Sequence, residues 1–210
     1  MAFETNVFIN CPFDGDYIDI LRPILFCVLD LGFEPRIALE RATSAEARID
    51  KIVELINESR FGIHDISRLI SKKKGEYFRL NMPFELGIDY GCRKFKGRPW
   101  DSKKILILEA EKYRFQAAIS DISGSDIAMH RNEPVTACTE VRNWLAEELG
   151  NTTPGPTAIW ARFNEFMADN YDALKGRGYS DKDVSEQPIG ELIRCMKEWL
   201  KTHSVSGLNC

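Results

Sequence analysis

A chain of 210 residues has room for one large domain, or for one domain with a small appendage, and buries enough of itself to need no disulfide or metal staple. With 44% hydrophobic residues, 29% charged residues and a formal net charge of −4, it has the balance of an ordinary globular protein and no bulk basicity for coating nucleic acid or a membrane surface. The six cysteines include no CxxC pair and read as reduced thiols of a cytoplasmic protein. The N-terminus lacks a signal-peptide pattern, and no apolar run approaches the ~18–20 residues of a membrane span.

Residues 6–10, Asn-Val-Phe-Ile-Asn, read as a first strand that ends in the turn-forming Cys11-Pro12-Phe13-Asp14-Gly15. A helix is predicted over 17–31, with Ile20, Leu21, Ile24, Leu25, Val28 and Leu31 at helical spacing, Pro23 inside it and Gly32 as its stop. Residues 33–39 read as a second strand, which Pro35 assigns to a sheet edge or a strand start. Ser44 is placed to cap a helix running to Asn57, with Ile49, Ile52, Val53 and Ile56 on one face. A third strand covers 59–65, followed by a long connection over 66–78 that carries Arg68, Lys72, Lys73 and Lys74. A helix is expected over 83–95, and 104–109 is the clearest buried strand.

Beyond Glu109 the alternation weakens. Residues 113–119 look helical, 120–127 look like a loop with a short last strand near 126–128, and 134–149 read as a helix with Val135, Cys138, Val141, Trp144 and Leu145 inward. Strands alternating with helices four times predict an α/β fold, a flavodoxin-like or Rossmann-like open parallel sheet with helices on both faces. The Gly/Asn/Thr/Pro-rich stretch 150–156 is the linker candidate. It divides an α/β domain, 1–150, from an appendage, 151–210, with helices at 157–174 and 189–202.

In such a sheet, ligands bind outside the carboxyl ends of the strands. The candidates there are Asn10, Cys11 and Asp14, then Glu40, then His64 and Asp65, then Glu109 and Glu111. Glu85 joins them if its helix points its N-terminus at the same edge. Glu85 follows Pro83 in what reads as a first helical turn, where an acid is ordinary because free N–H groups and the dipole favour it. Its surround, Asn81-Met82-Pro83-Phe84 and Leu86-Gly87, is apolar and small, unlike a solvated charge run. Asp65 ends an apolar strand, and reads either as a ligand contact or as a turn residue. Strand alternation turns His64 away from Asp65 unless the strand has already ended, and favours a structural reading of it over a functional one. His130 and His203 stand alone, and no spacing suggests a metal site or a phosphate-binding glycine loop. The Lys72-Lys73-Lys74 run reads as solvated loop, with a phosphate-attracting lid as its alternative.

The strand-end Asp65 and the stretch Phe84-Glu85-Leu86-Gly87-Ile88-Asp89-Tyr90-Gly91, followed by Lys94 or Lys96 and the apolar run Ile105-Leu106-Ile107-Leu108, resemble the nucleoside 2-deoxyribosyltransferase family. That family is similar in fold to the TIR domains that cleave NAD. The resemblance covers roughly residues 6–110. It implies that Glu85 is the nucleophile at the anomeric carbon and that Asp65 holds sugar hydroxyls. Asn10, Cys11, Asp14, Asn81 and Asp89 would then line the substrate. No cofactor or metal is implied; NAD would enter as a substrate. Bacterial proteins of this kind and size often serve in antiphage defence.

Two functions follow as expectations. One is an enzyme cleaving an N-glycosidic bond in a nucleotide, nucleoside or NAD, by hydrolysis or transfer. The other is a non-catalytic module that binds a nucleotide signal or assembles like a TIR domain, with Trp160, Phe163, Phe166, Trp199 and Leu200 of the C-terminal helices as a homo-oligomer surface. A structural partner without a ligand is the third. Membrane and nucleic-acid partners are not expected.

Overall fold

The computed structural model describes residues 2–40, 46–68, 80–150 and 153–203. Its strands are β1 (Asn6–Asn10), β2 (Glu34–Arg36), β3 (Phe61–Asp65), β4 (Lys104–Glu109) and β5 (Ile127–Met129). Its helices are α1 (Ala2–Thr5), α2 (Ile18–Asp30), α3 (Arg48–Asn57), α4 (Asn81–Phe95), α5 (Pro134–Leu149), α6 (Pro156–Gly176), α7 (Asp181–Ser185) and α8 (Ile189–Thr202). All neighbouring strands pair parallel in the order β2-β1-β3-β4-β5, with Ile9 opposite Ile63 and Asn10 opposite His64 at the centre. This is the open, doubly wound α/β architecture that the alternation predicts. No helix among the described residues is long and apolar enough to cross a membrane.

The strands are apolar on both faces because helices cover both. Val7, Ile9, Phe61, Ile63, Leu106 and Leu108 join a core with α2 and α5. The side chains between them point the opposite way. Phe8 packs against Ile52, Leu55 and Ile56 of α3, and Ile107 against Met82 and Leu86 of α4.

Three element boundaries differ from expectation. β2 keeps only three residues, because Glu40 binds the Arg36 guanidinium at 2.8 Å and 3.0 Å and accepts the Ile37 N–H, turning 38–40 into a 3₁₀ helix. Residues 114–117 form a 3₁₀ turn rather than an α-helix. α4 begins at Asn81, with Pro83 inside its first turn, where a missing N–H leaves no helical bond unmade. Ser44, Lys72, Lys73 and Lys74 lie outside the described residues.

The C-terminal helices are an outer layer on α2 and α5. Phe26 of α2 lies 5.7 Å, 5.7 Å and 5.9 Å from the rings of Phe163, Phe166 and Trp199, and Arg162 forks onto Asp30 at 2.8 Å and 3.1 Å. Trp160, Phe163, Phe166, Trp199 and Leu200 all pack on this one core. Phe163, Phe166 and Trp199 are buried there: α2 is a helix of the sheet whose outer side is also apolar, and these rings cover it within the same chain. Phe166→Ala is expected to cost about 3–5 kcal/mol. Urea denaturation should still show one transition for sheet and helices together; two separated transitions would contradict a shared core.

Candidate functional site

The connection after β1 leads toward β2 on one side, and the connection after β3 leads toward β4 on the other. The chain therefore diverges at the carboxyl ends of β1 and β3, where doubly wound sheets open a crevice. Asn10 and Cys11 leave one strand there and Asp65 the other. Cys11 records what surrounds that point. Its thiol is fully buried, and its ionisation is pushed well up by burial and then by the charges of Asp65, Glu85 and Asp14. One thiol thus lies within electrostatic reach of three of the predicted carboxylates.

Glu85 is the least stabilised of them. With α4 starting at Asn81, Glu85 stands in the second turn, and no acid occupies the first. The commonplace reason for an acid near a helix start therefore does not apply. Met82, Glu85, Leu86 and Asp89 form the buried stripe of α4, so helical periodicity turns Glu85 inward at an apolar position. Only 4% of the residue is accessible. Burial raises its carboxyl to about 7, and among the described residues the charge that opposes this is Arg48 of α3, 4.0 Å away and itself half exposed. A desolvated carboxyl with a single distant cation is the pattern of a functional group rather than of a packing one. Arg48→Ala is expected to move the Glu85 midpoint above about 7, because it removes that cation; a fall, read by carbon NMR titration, would contradict this placement.

Asp65 has the opposite environment. Its Oδ2 accepts from the Tyr17 hydroxyl at 2.6 Å and faces His130 Nε2 at 3.0 Å, and its Oδ1 accepts the Ser67 N–H at 2.8 Å. Burial would raise this carboxyl, but His130, then Ser67 and Tyr17, hold it below the ordinary range. The backbone N–H of Asn132 donates to His130 Nδ1 at 3.0 Å, so Nε2 carries the ring proton and lies beside Asp65. Asp65 faces α2, whereas Glu85 belongs to the opposite layer. The two carboxyls therefore do not meet face to face. What Asp65 does hold is the β1–α2 turn, since Tyr17 N–H donates to Asp14 O at 3.0 Å.

His64 faces the α4 side and is fully buried, as alternation predicts. Asn10 Nδ2 donates to the Met82 carbonyl at 2.9 Å and to His64 Nδ1 at 3.0 Å. His64 Nε2 then reaches Asp89 Oδ2 at 2.9 Å, and Lys103 Nζ reaches Asp89 Oδ1 at 3.1 Å. Lys103 Nζ also donates to the carbonyls of Ile56, at 2.8 Å, and Ser59. Gly62 makes this possible: a Cβ there would stand 2.2 Å from Asp89 Oδ2.

Of the five residues expected to line a substrate, Asp89 is therefore internal, with both oxygens engaged and no exposed surface. An inward turn of the helix placed it under β3, a contact that its position beside the motif could not show. Asn10 and Cys11 are at the crevice but buried, Asn81 is exposed at the start of α4, and Asp14 is partly exposed and paired with Arg68 at 3.2 Å. Glu40 binds Arg36. Glu109 is buried against Arg114 at 2.5 Å, and Arg114 in turn donates to Ser67 O at 2.6 Å, tying the ends of β3 and β4 together. Beside Asp14, a cavity of ≈ 290 Å³ opens between the β1–α2 turn and the start of α8, lined by Phe13, Ile18, Leu21, Leu39, Gln187 and Ile189 among others.

Sequence reasoning placed Tyr17 near this region but missed Arg48, Lys103, Gly62 and His130 as parts of it. His130 had a readable signal: it directly follows β5, and residues just past strand ends were the stated candidates.

The fold and the edge together define a doubly wound α/β protein with a buried, poorly compensated carboxyl beside its switch point. No protein-family model matches the chain, and no curated protein or solved structure matches it significantly.

Proposed function

We propose that this protein cleaves the N-glycosidic bond of a nucleotide, a nucleoside or NAD, with Glu85 as the catalytic carboxylate. One observation carries the reading: Glu85 is a buried carboxyl raised to about 7 near the carboxyl edge of the sheet. At neutral pH such a group is ionised in about half the molecules. Ionised and desolvated, it can attack or stabilise the anomeric carbon as the base departs. Water reaching the intermediate completes hydrolysis, and a second base completes transfer. The resemblance of the Glu85-Leu86-Gly87 stretch to the nucleoside 2-deoxyribosyltransferase family supports the same role.

In this reading Asp14 and Asn81 are the accessible polar groups around the substrate, and Asn10 and Cys11 form the floor between them. Asp65 positions the β1–α2 turn through Tyr17 and does not itself hold sugar hydroxyls. The substrate would be drawn from cytoplasmic nucleotide pools, and antiphage defence is the biological setting the resemblance supports.

A second reading, a module that binds a nucleotide without cleaving it, draws on the same saturation of Asp65, which leaves Glu85 without a free carboxylate partner. Chromatography of NAD and a nucleoside panel after incubation with wild type and Glu85→Gln separates the two. Base release by wild type and none by the variant supports cleavage. Retention of an intact nucleotide without release favours the binding module and overturns the glycosidase reading.

A further inference from the structure

We infer that Asn10, His64, Asp89 and Lys103 form a positioning chain that anchors the start of α4 to the sheet and thereby sets where Glu85 stands. Its importance for catalysis rests on the glycosidase reading; its geometry does not.

The chain runs in one direction. The Met82 carbonyl can only accept, so the group of Asn10 that faces it is the amide nitrogen. The same nitrogen faces His64 Nδ1, so Nδ1 accepts and Nε2 carries the ring proton toward Asp89. Asp89 is fixed from the other side by Lys103, which also donates to Ile56 O and Ser59 O at the end of α3. Every member is buried, none above 2% accessible. Lys103 and Asp89 are opposite charges in contact, so the cluster needs no ion from solvent.

Two of its contacts fall on α4, at Met82 and at Asp89, one on each side of Glu85. They are two turns apart on the same buried stripe. Each holds the helix to β1 or β3 by a buried polar bond, which has stricter geometry than apolar packing. Gly62 lets Asp89 come this close, since any Cβ would collide with its carboxylate. Glu85 is thus carried on a segment clamped at both ends, with Arg48 of α3 beside it and the Cys11 thiol within reach of its charge. No bond from the chain reaches Glu85 itself, so its members are positioning residues and not catalytic ones.

The test reads Glu85 directly, by carbon NMR titration of its side-chain carboxyl in the full-length protein. Asn10→Leu keeps the branched shape, with two methyl groups in place of the amide oxygen and nitrogen, and cuts the chain between His64 and Met82. Asn6→Leu is the matched control: Asn6 is equally buried, at the other end of β1, and its amide donates to Glu58 O at 2.9 Å. The expected result is a Glu85 midpoint near 7 in wild type and Asn6→Leu, and a midpoint lower by about one pH unit or more, tenfold in ionisation, in Asn10→Leu, as a loosened α4 lets the carboxyl meet water. An unchanged midpoint in Asn10→Leu, an equal fall in both variants, or a wild-type midpoint in the ordinary carboxylate range overturns the inference. If Asn10→Leu does not fold, Asn10→Ser, whose hydroxyl cannot span both acceptors, is read the same way. Wild type that releases no base would sink the glycosidase reading and still leave these titrations decisive.

Discussion

Glu85→Gln is expected to lower turnover by about 10³-fold or more, while making the protein more stable at pH 8 than the wild type. The two effects share one cause. The folded protein holds this carboxyl at about 7, against an ordinary 4.5, chiefly by burying it. A raised value means that the folded state binds the proton more tightly than the unfolded chain does. The stabilising share of Glu85 is therefore complete below about 4.5 and is lost as the pH climbs through about 7. Glutamine keeps the shape and carries no charge at any pH. The variant should match wild type near pH 4, pull ahead between 4.5 and 7, and hold a lead on the order of 1–2 kcal/mol at pH 8, the carboxyl's partial contact with water reducing the full effect. Melting curves at three pH values would show it as a few degrees in Tm. A Gln variant that is no more stable at pH 8 than wild type would mean that Glu85 is already well solvated or paired. For the active protein, a nucleophile must be ionised, so kcat/KM should rise with pH through about 7; a fall through that point would make Glu85 the acid that protonates the leaving base.

Lys103→Met is expected to destabilise the protein by about 3–5 kcal/mol, since it leaves the Asp89 charge buried with only His64 against it. It also withdraws a donor from the Ile56 and Ser59 carbonyls. Adding Asp89→Asn to the same chain should recover part of the loss, because the stranded charge is then removed while the hydrogen bond from His64 has an acceptor still. Urea midpoints of the two single variants and the double one give the coupling. Additive losses would mean that the 3.1 Å contact between these side chains contributes little. The expected cost is that of breaking a buried pair, and it says nothing of what an apolar pair of the same volume would do.

The two predictions concern carboxylates four residues apart on one helix, Glu85 and Asp89, and they show why a motif can be located without its roles being assigned. Both fall on the buried stripe of α4. Four residues further along, the stripe meets β3 at Gly62, where the missing side chain admits a carboxylate, and a lysine from the start of β4 neutralises it. At Glu85 the stripe has passed the end of the sheet, and among the described residues Arg48 is the cation nearby. The difference is one turn of helix against the length of a strand, a relation between elements that no spacing within α4 records. Asp65 and His64 make the same point in reverse: their opposite facing was predictable from strand alternation alone, and it is this that separates Asp65 from Glu85.

By itself the sequence determined the alternating architecture, the parallel sheet and most strand and helix positions, because apolar periodicity reports which faces must leave water. It also directed the search for candidate residues to the strand ends, and it singled out Glu85 as one of them. The tertiary structure alone decided that α4 starts two residues before the expected 83, that the C-terminal aromatic rings close over α2, that Asp65 is saturated by Tyr17, Ser67 and His130, and that Asp89 belongs to a buried chain ending on Lys103. For the buried polar groups the physical reason is shared: apart from the Ser67 N–H on Asp65, their partners lie 14 to 65 positions away in the chain, and desolvation, which sets the state of Glu85, is a property of the packed surround and not of any neighbour in sequence.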